Sequence, residues 1–368
     1  MTDQLQYRHR AGHTRIVIGN GLNIPGWLRQ HFSTRLVALV DFQLQSVLSR
    51  THPGLLESFD LVIEFPDGEQ SKSFQTYTDI ITRLSEAGAD RQTVLVAIGG
   101  GVTGDLTGFV AATYLRGIRY IQVPTTLLSQ IDSSIGGKTG INLDTGKNLV
   151  GAFWQPDSIL VDTRFLLSLP DAEVLSALGE MLKYNVLFDA EGFNDFGSWI
   201  LNHPPMTLLS TDFDRLTNWI SRCIGFKTSI VEEDEFESGR RALLNLGHTL
   251  GHALEKVYVY PALRHGDAVT IGTAFATLLS HRLGYANRET ADRVLQIARR
   301  MIGSLPDDGN WDSTRLLDYI SRDKKKKDQA IRWILPVRPG HCEIVPVTDP
   351  NLIGTTMKAF TDEWNRSE

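Results

Sequence analysis

The segment RRALLNLGHTLGHALE carries Arg241, Asn245, His248 and His252 at offsets 0, 4, 7 and 11. That spacing predicts one polar stripe along a single helix whose other positions are mostly Ala and Leu. Two imidazoles, an amide and a guanidinium need partners if the stripe is buried, because an unpaired polar group there costs about 1–3 kcal/mol. A metal ion and an anionic ligand would supply them. Downstream, His265 in RHGDAV falls at the start of the next helix, and upstream Glu180 and Lys183 stand one turn apart in GEMLKY. One carboxylate with two imidazoles is a normal catalytic zinc set that leaves positions open for substrate oxygens. His248 and His252 have H-x-x-x-H spacing without the glutamate of H-E-x-x-H, so the pattern is not that of a zinc protease. Taken singly, each of these side chains is equally at home as a hydrogen-bonded core residue. Their combination points to a metal.

Two further stretches suit phosphate. GGGVTGDLTGF (99–109) follows a strand pattern and opens a helical one. Its glycines permit close approach of an anion to backbone N–H groups at a helix start. It is not the spaced G-x-G-x-x-G fingerprint, and a plain strand-to-helix turn would read similarly. PDGEQSK (66–72) follows another strand in the same way. PTTLLSQIDSSIGGKTGINLDTGKNLVG (124–151) sets Asp132, Lys138, Asn142, Lys147 and Asn148 among Gly, Ser and Thr. Glycines bring backbone close to an anion and lysines neutralise it as compact charges; a solvated polar loop is the competing reading.

Positioning these groups requires a scaffold, and the chain alternates accordingly. RIVIG (15–19), RLVALVD (35–41), LVIEF (61–65), TVLVAIGG (93–100) and RYIQVP (119–124) are continuous apolar runs, as expected for parallel strands covered on both faces. QTYTDIITRLSEAG and GDLTGFVAATYLRG between them read as helices, giving an α/β domain. Beyond Asp162 the rhythm turns to amphipathic helices, with only IRWILPVRPGHCEIV suggesting a hairpin. The boundary therefore lies near 160–170, where Pro170 can open a helix.

The formal net charge of −6 and pI near 5.9 show no basic bias toward nucleic acid. Cys223 and Cys342 form neither a C-x-x-C pair nor a disulfide framework, which predicts a reducing compartment. The polar N-terminus and the absence of any apolar run near 20 residues predict a cytoplasmic chain without a signal peptide or membrane span.

These blocks resemble a known family. GGGVTGDLTGFVAATYLRGIRYIQVPTTLLSQIDSSIGGKTGIN, GKNLVGAFWQP, GEMLKYN, EEDEFESGRRALLNLGHTLGHALE, HGDAV and RDKKKK stand in the order, and near the spacings, of the 3-dehydroquinate synthases of the sugar-phosphate cyclase superfamily. The resemblance implies an NAD-binding α/β domain over 1–168 with a parallel sheet, and a mostly helical metal- and substrate-binding domain over 169–368. It implies a homodimeric lyase that uses NAD and one divalent metal, zinc or cobalt. The reaction would convert 3-deoxy-D-arabino-heptulosonate 7-phosphate to 3-dehydroquinate and phosphate in the shikimate pathway, toward aromatic amino acids.

By that resemblance the metal ligands are Glu180, His248 and His265. Nucleotide contacts fall on Asp41; on Asp67, Gly68, Glu69, Gln70, Ser71 and Lys72; on Gly101, Val102, Thr103, Gly104 and Asp105; on Thr125 and Thr126; and on Phe165, Leu166, Leu167 and Ser168. Lys138 and Lys147 would serve both nucleotide and substrate. Substrate contacts add Asp132, Asn148, Lys183, Lys227, Arg241, Asn245, His252 and Lys324, with Arg116 supplied across the dimer interface. Lys138, Lys183, Lys227, Arg241, Asn245 and His252 would carry the catalysis, His252 moving protons because its unperturbed pKa lies near neutrality.

The chain departs from the family pattern at Ser71 (usually Tyr), Asp267 (Glu), Asn185 (Gly), Leu250 (Phe) and Leu167 (Lys). Competing readings are another cyclase, making 2-deoxy-scyllo-inosose or an aminated quinate, an iron- or zinc-dependent alcohol dehydrogenase, and a nucleotide-binding scaffold with a dead site. Intact GGKTGIN and NLGHT blocks favour the dehydroquinate synthases over the inosose branch. A dehydrogenase would not require so many lysines after PTT.

Overall fold

The computed structural model describes residues 2–258, 262–306, 313–324 and 331–366. Eleven strands are described: β1 Thr2–His9, β2 Gly12–Gly19, β3 Leu36–Asp41, β4 Leu61–Phe65, β5 Val94–Gly99, β6 Arg119–Pro124, β7 Lys138–Leu143, β8 Gly146–Phe153, β9 Ser158–Asp162, β10 Ile331–Arg338 and β11 His341–Val347. The helices are α1 Ile24–His31, α2 Phe42–Thr51, α3 Phe74–Glu86, α4 Gly101–Thr113, α5 Asp171–Phe188, α6 Ala190–Asn202, the one-turn α7 Leu208–Thr211, α8 Phe213–Glu233, α9 His248–Val257, α10 His265–Arg282, α11 Arg288–Ile302, α12 Ser313–Lys324 and α13 Pro350–Trp364.

Two compact units form. The first comprises Met1–Pro170 with Asp214–Ser238, the second Asp171–Phe213 with Gly239–Glu368. In the first, seven strands lie in the order β1-β2-β9-β6-β5-β3-β4. β1 pairs antiparallel with β2 and the remaining strands run parallel. Alternate residues of β3 show why their sequence is uninterruptedly apolar. Leu36, Ala38 and Val40 face α1 and α2, whereas Val37 and Leu39 face α3 and α4. Both faces are covered, so no position can be polar without a partner. Parallel order also puts the carboxyl ends of β3, β4, β5, β6 and β9 along one edge of the sheet, where open α/β sheets bind ligands.

The strand readings at 15–19, 35–41, 61–65, 93–100 and 119–124 all match strands in the fold. The N-terminal hairpin partner β1, the β7–β8 ribbon and β9 were not anticipated. The ribbon's Gly, Asn and Lys content hides its strand character, because one of its faces is exposed.

In the second unit, α10 packs against α5, α9, α11, α13 and β10. Its run from Ala268 to Ser280 is buried throughout. This central helix carries His265 at its first residue.

The expected single helix through RRALLNLGHTLGHALE does not form. Arg240–Asn245 is a 3₁₀ turn, and α9 begins only at His248. Gly247 breaks the path in the left-handed region at φ 79°. A Cβ there would lie 2.6 Å from the Val269 carbonyl oxygen, so only glycine fits both the conformation and the space. The four-residue stripe is therefore two separate pieces: Arg241 with Asn245, and His248 with His252. Helix α4 likewise stops at Thr113, and Leu115 and Arg116 take φ 49° and 67°.

Candidate active site

Along the carboxyl edge of the sheet the expected nucleotide residues follow one strand after another. Asp41 ends β3 and caps α2, its carboxylate accepting from Leu44 N at 2.8 Å. Burial pushes its carboxyl above the usual range. After β4, Gly68 takes φ 86° and a 3₁₀ turn over Glu69–Ser71 delivers Lys72. The Ser71 hydroxyl donates to the Pro66 carbonyl. It thus fills the departure from tyrosine with a local bond. Lys72 is buried, 2.7 Å from Asp105 Oδ2, and it also donates to Asn148. Burial raises the Asp105 carboxyl, opposed by Lys72.

After β5, Gly100 caps α4 without a side-chain bond. A Cβ at Gly99 would meet Thr103 Oγ1 at 2.3 Å, and one at Gly104 would meet Gln122 Oε1 at 2.5 Å. The glycines therefore let the helix start pack tightly on the sheet while its first N–H groups face outward, a ready anion cradle. After β6, Thr125 N donates to Gly99 O at 3.0 Å and Thr126 caps the turn leading to Asp132. After β9, Phe165 and Leu166 are buried, whereas Leu167 is 63% exposed. An apolar side chain thus faces solvent where the family pattern has lysine.

The anion-binding candidates of this unit come with carboxylates. Lys227 of α8 donates to the Asp132 carbonyl at 2.6 Å and to its carboxylate. Lys138, at the start of β7, pairs with Glu237. Asn148 on β8 takes φ 55°, and Lys147 beside it is exposed. Arg116 is exposed in the turn after α4.

In the second unit Glu180, His248 and His265 meet. One ligand atom from each lies within 4.8 Å of the others. Three glycines make the meeting possible. A Cβ at Gly266 would stand 1.8 Å from Ser176 O, one at Gly179 2.2 Å from Gly266 O, and one at Gly272 2.0 Å from Gly247 O. Helices α5 and α10 and the turn before α9 thus touch backbone to backbone, with each ligand beside a glycine.

The donor set fits a small divalent cation. Around a tetrahedral ion with bonds of about 2.1 Å, neighbouring donors stand about 3.4 Å apart. Glu180 Oε1 lies 3.6 Å from His248 Nε2 and 3.2 Å from His265 Nε2. The opposite ring nitrogens are engaged: His248 Nδ1 donates to Leu246 O at 3.0 Å, and His265 Nδ1 lies 3.2 Å from Glu255 Oε1. Such partners fix the tautomer and turn both Nε2 atoms toward Glu180.

Without a cation the two imidazoles diverge. Burial pushes His248 down to about 4, against the pull of Glu180. Burial opposes charge on His265 too, but hydrogen bonds to Glu180 and Glu255 outweigh it and hold its pKa up to about 10.

Lys183, one turn after Glu180, places Nζ 2.5 Å from Glu180 Oε2. Arg241 is almost wholly buried at 2% exposure, Asn245 is half-buried and His252 exposed. The His252 ring stands edge-on to His248 at 5.4 Å. Lys324 ends α12, its side chain outside the described residues. Asp267 caps the start of α10, accepting from Arg264 N at 3.3 Å. Asn185 bonds Met181 O at 3.0 Å, and Leu250 is buried in the core. Glu255 escaped the sequence reading. Its signal was its position seven residues after His248, which puts both on one face of α9.

A parallel sheet with a glycine-rich strand end, joined in one chain to glycine-crossed helices holding a carboxylate and two imidazoles, defines the dehydroquinate-synthase-like fold. It is shared with an iron-containing alcohol dehydrogenase from Thermococcus thioreducens (TM-score 0.66, 14% identity, 95% of this chain and 98% of that one). It is closer to a 2-epi-5-epi-valiolone synthase from Streptomyces hygroscopicus subsp. jinggangensis with NAD+ and Zn2+ bound (0.84, 24% identity, 95% and 97%). A 2-deoxy-scyllo-inosose synthase complexed with carbaglucose-6-phosphate, NAD+ and Co2+ matches similarly (0.83, 24%, 97% and 99%).

Within that class, residues 62–176 match the family model for the 3-dehydroquinate synthase N-terminal region and 177–326 that for the C-terminal region. The chain is 44% identical over 303 residues to the 3-dehydroquinate synthase of Dictyoglomus turgidum (80% of this chain, 83% of that protein). It is 45% identical over 304 residues to that of Nitrosomonas europaea (82% and 79%). The chain belongs to the 3-dehydroquinate synthase family, and it is an enzyme. No helix among the described residues is long and apolar enough to cross a membrane.

Proposed function

We propose that this chain converts 3-deoxy-D-arabino-heptulosonate 7-phosphate to 3-dehydroquinate and phosphate, in a redox-neutral sequence within the shikimate pathway. Family membership at 44–45% identity supports this above the inosose and dehydrogenase readings, which rest on structures at 24% and 14%. The observation that carries the chemistry is the meeting of Glu180, His248 and His265 at tetrahedral-edge distances. We assign these three residues to zinc or cobalt, and the carboxyl edge of the sheet to NAD. When bound, NAD supplies reversible hydride acceptance at the substrate's C5 and the cation supplies polarisation of the neighbouring oxygen.

The chain's own residues do the rest. Lysines 138, 183 and 227 and Arg241 bind carboxylate and phosphate, holding the substrate for β-elimination of phosphate. Lys183 and Arg241 are buried, so their charges act in a site shielded from water. Lys227, buried, and Lys138, exposed, already bear carboxylate partners, which orient their ammonium groups. His252, exposed beside His248, carries protons during elimination and ring closure. Asn245, Asn148, Lys147 and Lys324 complete the substrate contacts. The nucleotide is assigned to the unit built on residues 1–168 and the metal to the remainder, but the expected single boundary gives way at Asp214–Ser238, which packs with the first unit and brings Lys227 of α8 beside Asp132. Arg116 serves the second copy of a cytoplasmic homodimer.

The test is phosphate release from the heptulosonate phosphate with NAD well below substrate. Many turnovers per NAD without net NADH are expected. Phosphate release matched by equimolar NADH would make the chain a dehydrogenase, and preference for glucose 6-phosphate would make it an inosose synthase.

A further inference from the structure

Asn142, one residue before the end of β7, makes four hydrogen bonds to two separate segments. Its backbone N–H donates to Lys72 O at 2.7 Å. Its side-chain amide donates to Glu69 Oε1 at 2.7 Å and to Glu69 O at 3.5 Å. Its Oδ1 accepts from Asn148 N at 2.8 Å. The loop holding Glu69 and Lys72 is assigned above to the nucleotide, and Asn148 to the substrate. Asn148 takes φ 55°, a left-handed conformation that asparagine tolerates better than most residues carrying a Cβ. Asn148 is imposed upon twice: Asn142 holds its main chain and Lys72 its side chain.

We infer that Asn142 is a positioning residue that joins the nucleotide loop to the substrate ribbon, so that order in one stabilises the other. Asn suits the task because one short side chain offers a donor to Glu69 and an acceptor to Asn148 at once. Aspartate keeps the acceptor but sets a like charge against Glu69. Alanine removes both. The inference rests on the proposed function only for the identity of the two ligands.

Wild type, Asn142→Ala and Asn142→Asp are compared by NAD titration (tryptophan fluorescence), by KM and kcat for the heptulosonate phosphate, and by calorimetry. Asn142→Ala is expected to raise KM about three- to tenfold and weaken NAD about tenfold, matching the loss of one exposed and one part-buried hydrogen bond. Its kcat stays within about threefold and its melting temperature within a few degrees. Asn142→Asp, which repels Glu69 but keeps the acceptor for Asn148, weakens NAD about as much as Asn142→Ala and raises KM by a smaller factor, through the loosened loop alone. The inference is overturned if Asn142→Ala leaves both constants unchanged, or if all its losses follow a lowered melting temperature. It is overturned equally if Asn142→Asp weakens NAD and leaves KM at the wild-type value, because the loop would then lend the ribbon no support. Failure of the wild type itself to bind NAD or release phosphate would instead strike the proposed function.

Discussion

The two units build their candidate sites by opposite means. In the first, the binding edge is made of chain ends: consecutive parallel strands each stop at one side of the sheet, and the next few residues are the candidate contacts. A side-chain change there, such as Ser71, is absorbed by a local bond. In the second, the site is three side chains from α5, α9 and α10, brought together because glycines let backbones touch. A sheet edge tolerates substitution, whereas a helix crossing with a carbonyl 1.8 Å from a missing Cβ does not.

That contrast can be broken most severely at the metal. Strong chelation should abolish phosphate release, and zinc or cobalt should restore it, while far-ultraviolet circular dichroism stays unchanged. Loss of helical signal with the metal would show that the cation holds the helices together and the glycine contacts do not. Gly266→Ala comes next. Because the obstacle is the backbone of Ser176, the crossing must shift, and urea unfolding should show a loss of about 1–3 kcal/mol or more together with weaker metal binding. An equivalent insertion on the sheet side, Gly100→Ala, meets only the Thr126 methyl at 3.2 Å and should leave stability within about 1 kcal/mol.

Glu255→Gln tests the outer support of the cluster. It keeps the shape but weakens the hold on His265 Nδ1, and metal affinity by competition with a chelating dye should fall about 10–100-fold. An unchanged affinity would remove Glu255 from the account. The same pair sets a pH dependence. With its pKa held at about 10, His265 keeps a proton at neutrality in the metal-free protein, and a cation must displace it. Metal affinity should therefore rise about tenfold per pH unit from about pH 7 to 9, with about one proton released per ion in calorimetry. The metal-free fold carries the opposite trend. The charged His265 contributes stability that is complete below about pH 6.5 and lost as pH rises toward 10. The smallest effect belongs to the sheet edge: Leu167→Lys places a cation where solvent screens it, and NAD should bind no more than about fivefold tighter.

The same division explains what could be read from residues alone. The 66–72 loop and the 99–105 turn directly follow apolar runs, so the strands pointed to them as candidates, whereas Asp41, Thr125 and Thr126 were named only by the family resemblance. Residue type and spacing offered Glu180 with His248, His252 and His265 as candidates, and the family resemblance singled out Glu180, His248 and His265; their convergence could not be derived from a stripe, since Gly247 breaks the helix that the stripe assumed. Gly247 was a weak local warning, since glycine disfavours a helix interior, but the packing of α10 against it is what requires the break. The β7–β8 ribbon was hidden for a related reason. Its order comes from Asn142 and Lys72, contacts made with a loop some 70 residues earlier.

The most direct test is metal content of His248→Ala, measured by elemental analysis after exhaustive dialysis, alongside circular dichroism. The wild type should hold one zinc or cobalt ion per chain, and the variant should hold none while keeping its helical signal and losing phosphate release. A folded variant that still retains stoichiometric metal would contradict the convergence of Glu180, His248 and His265 on a single cation.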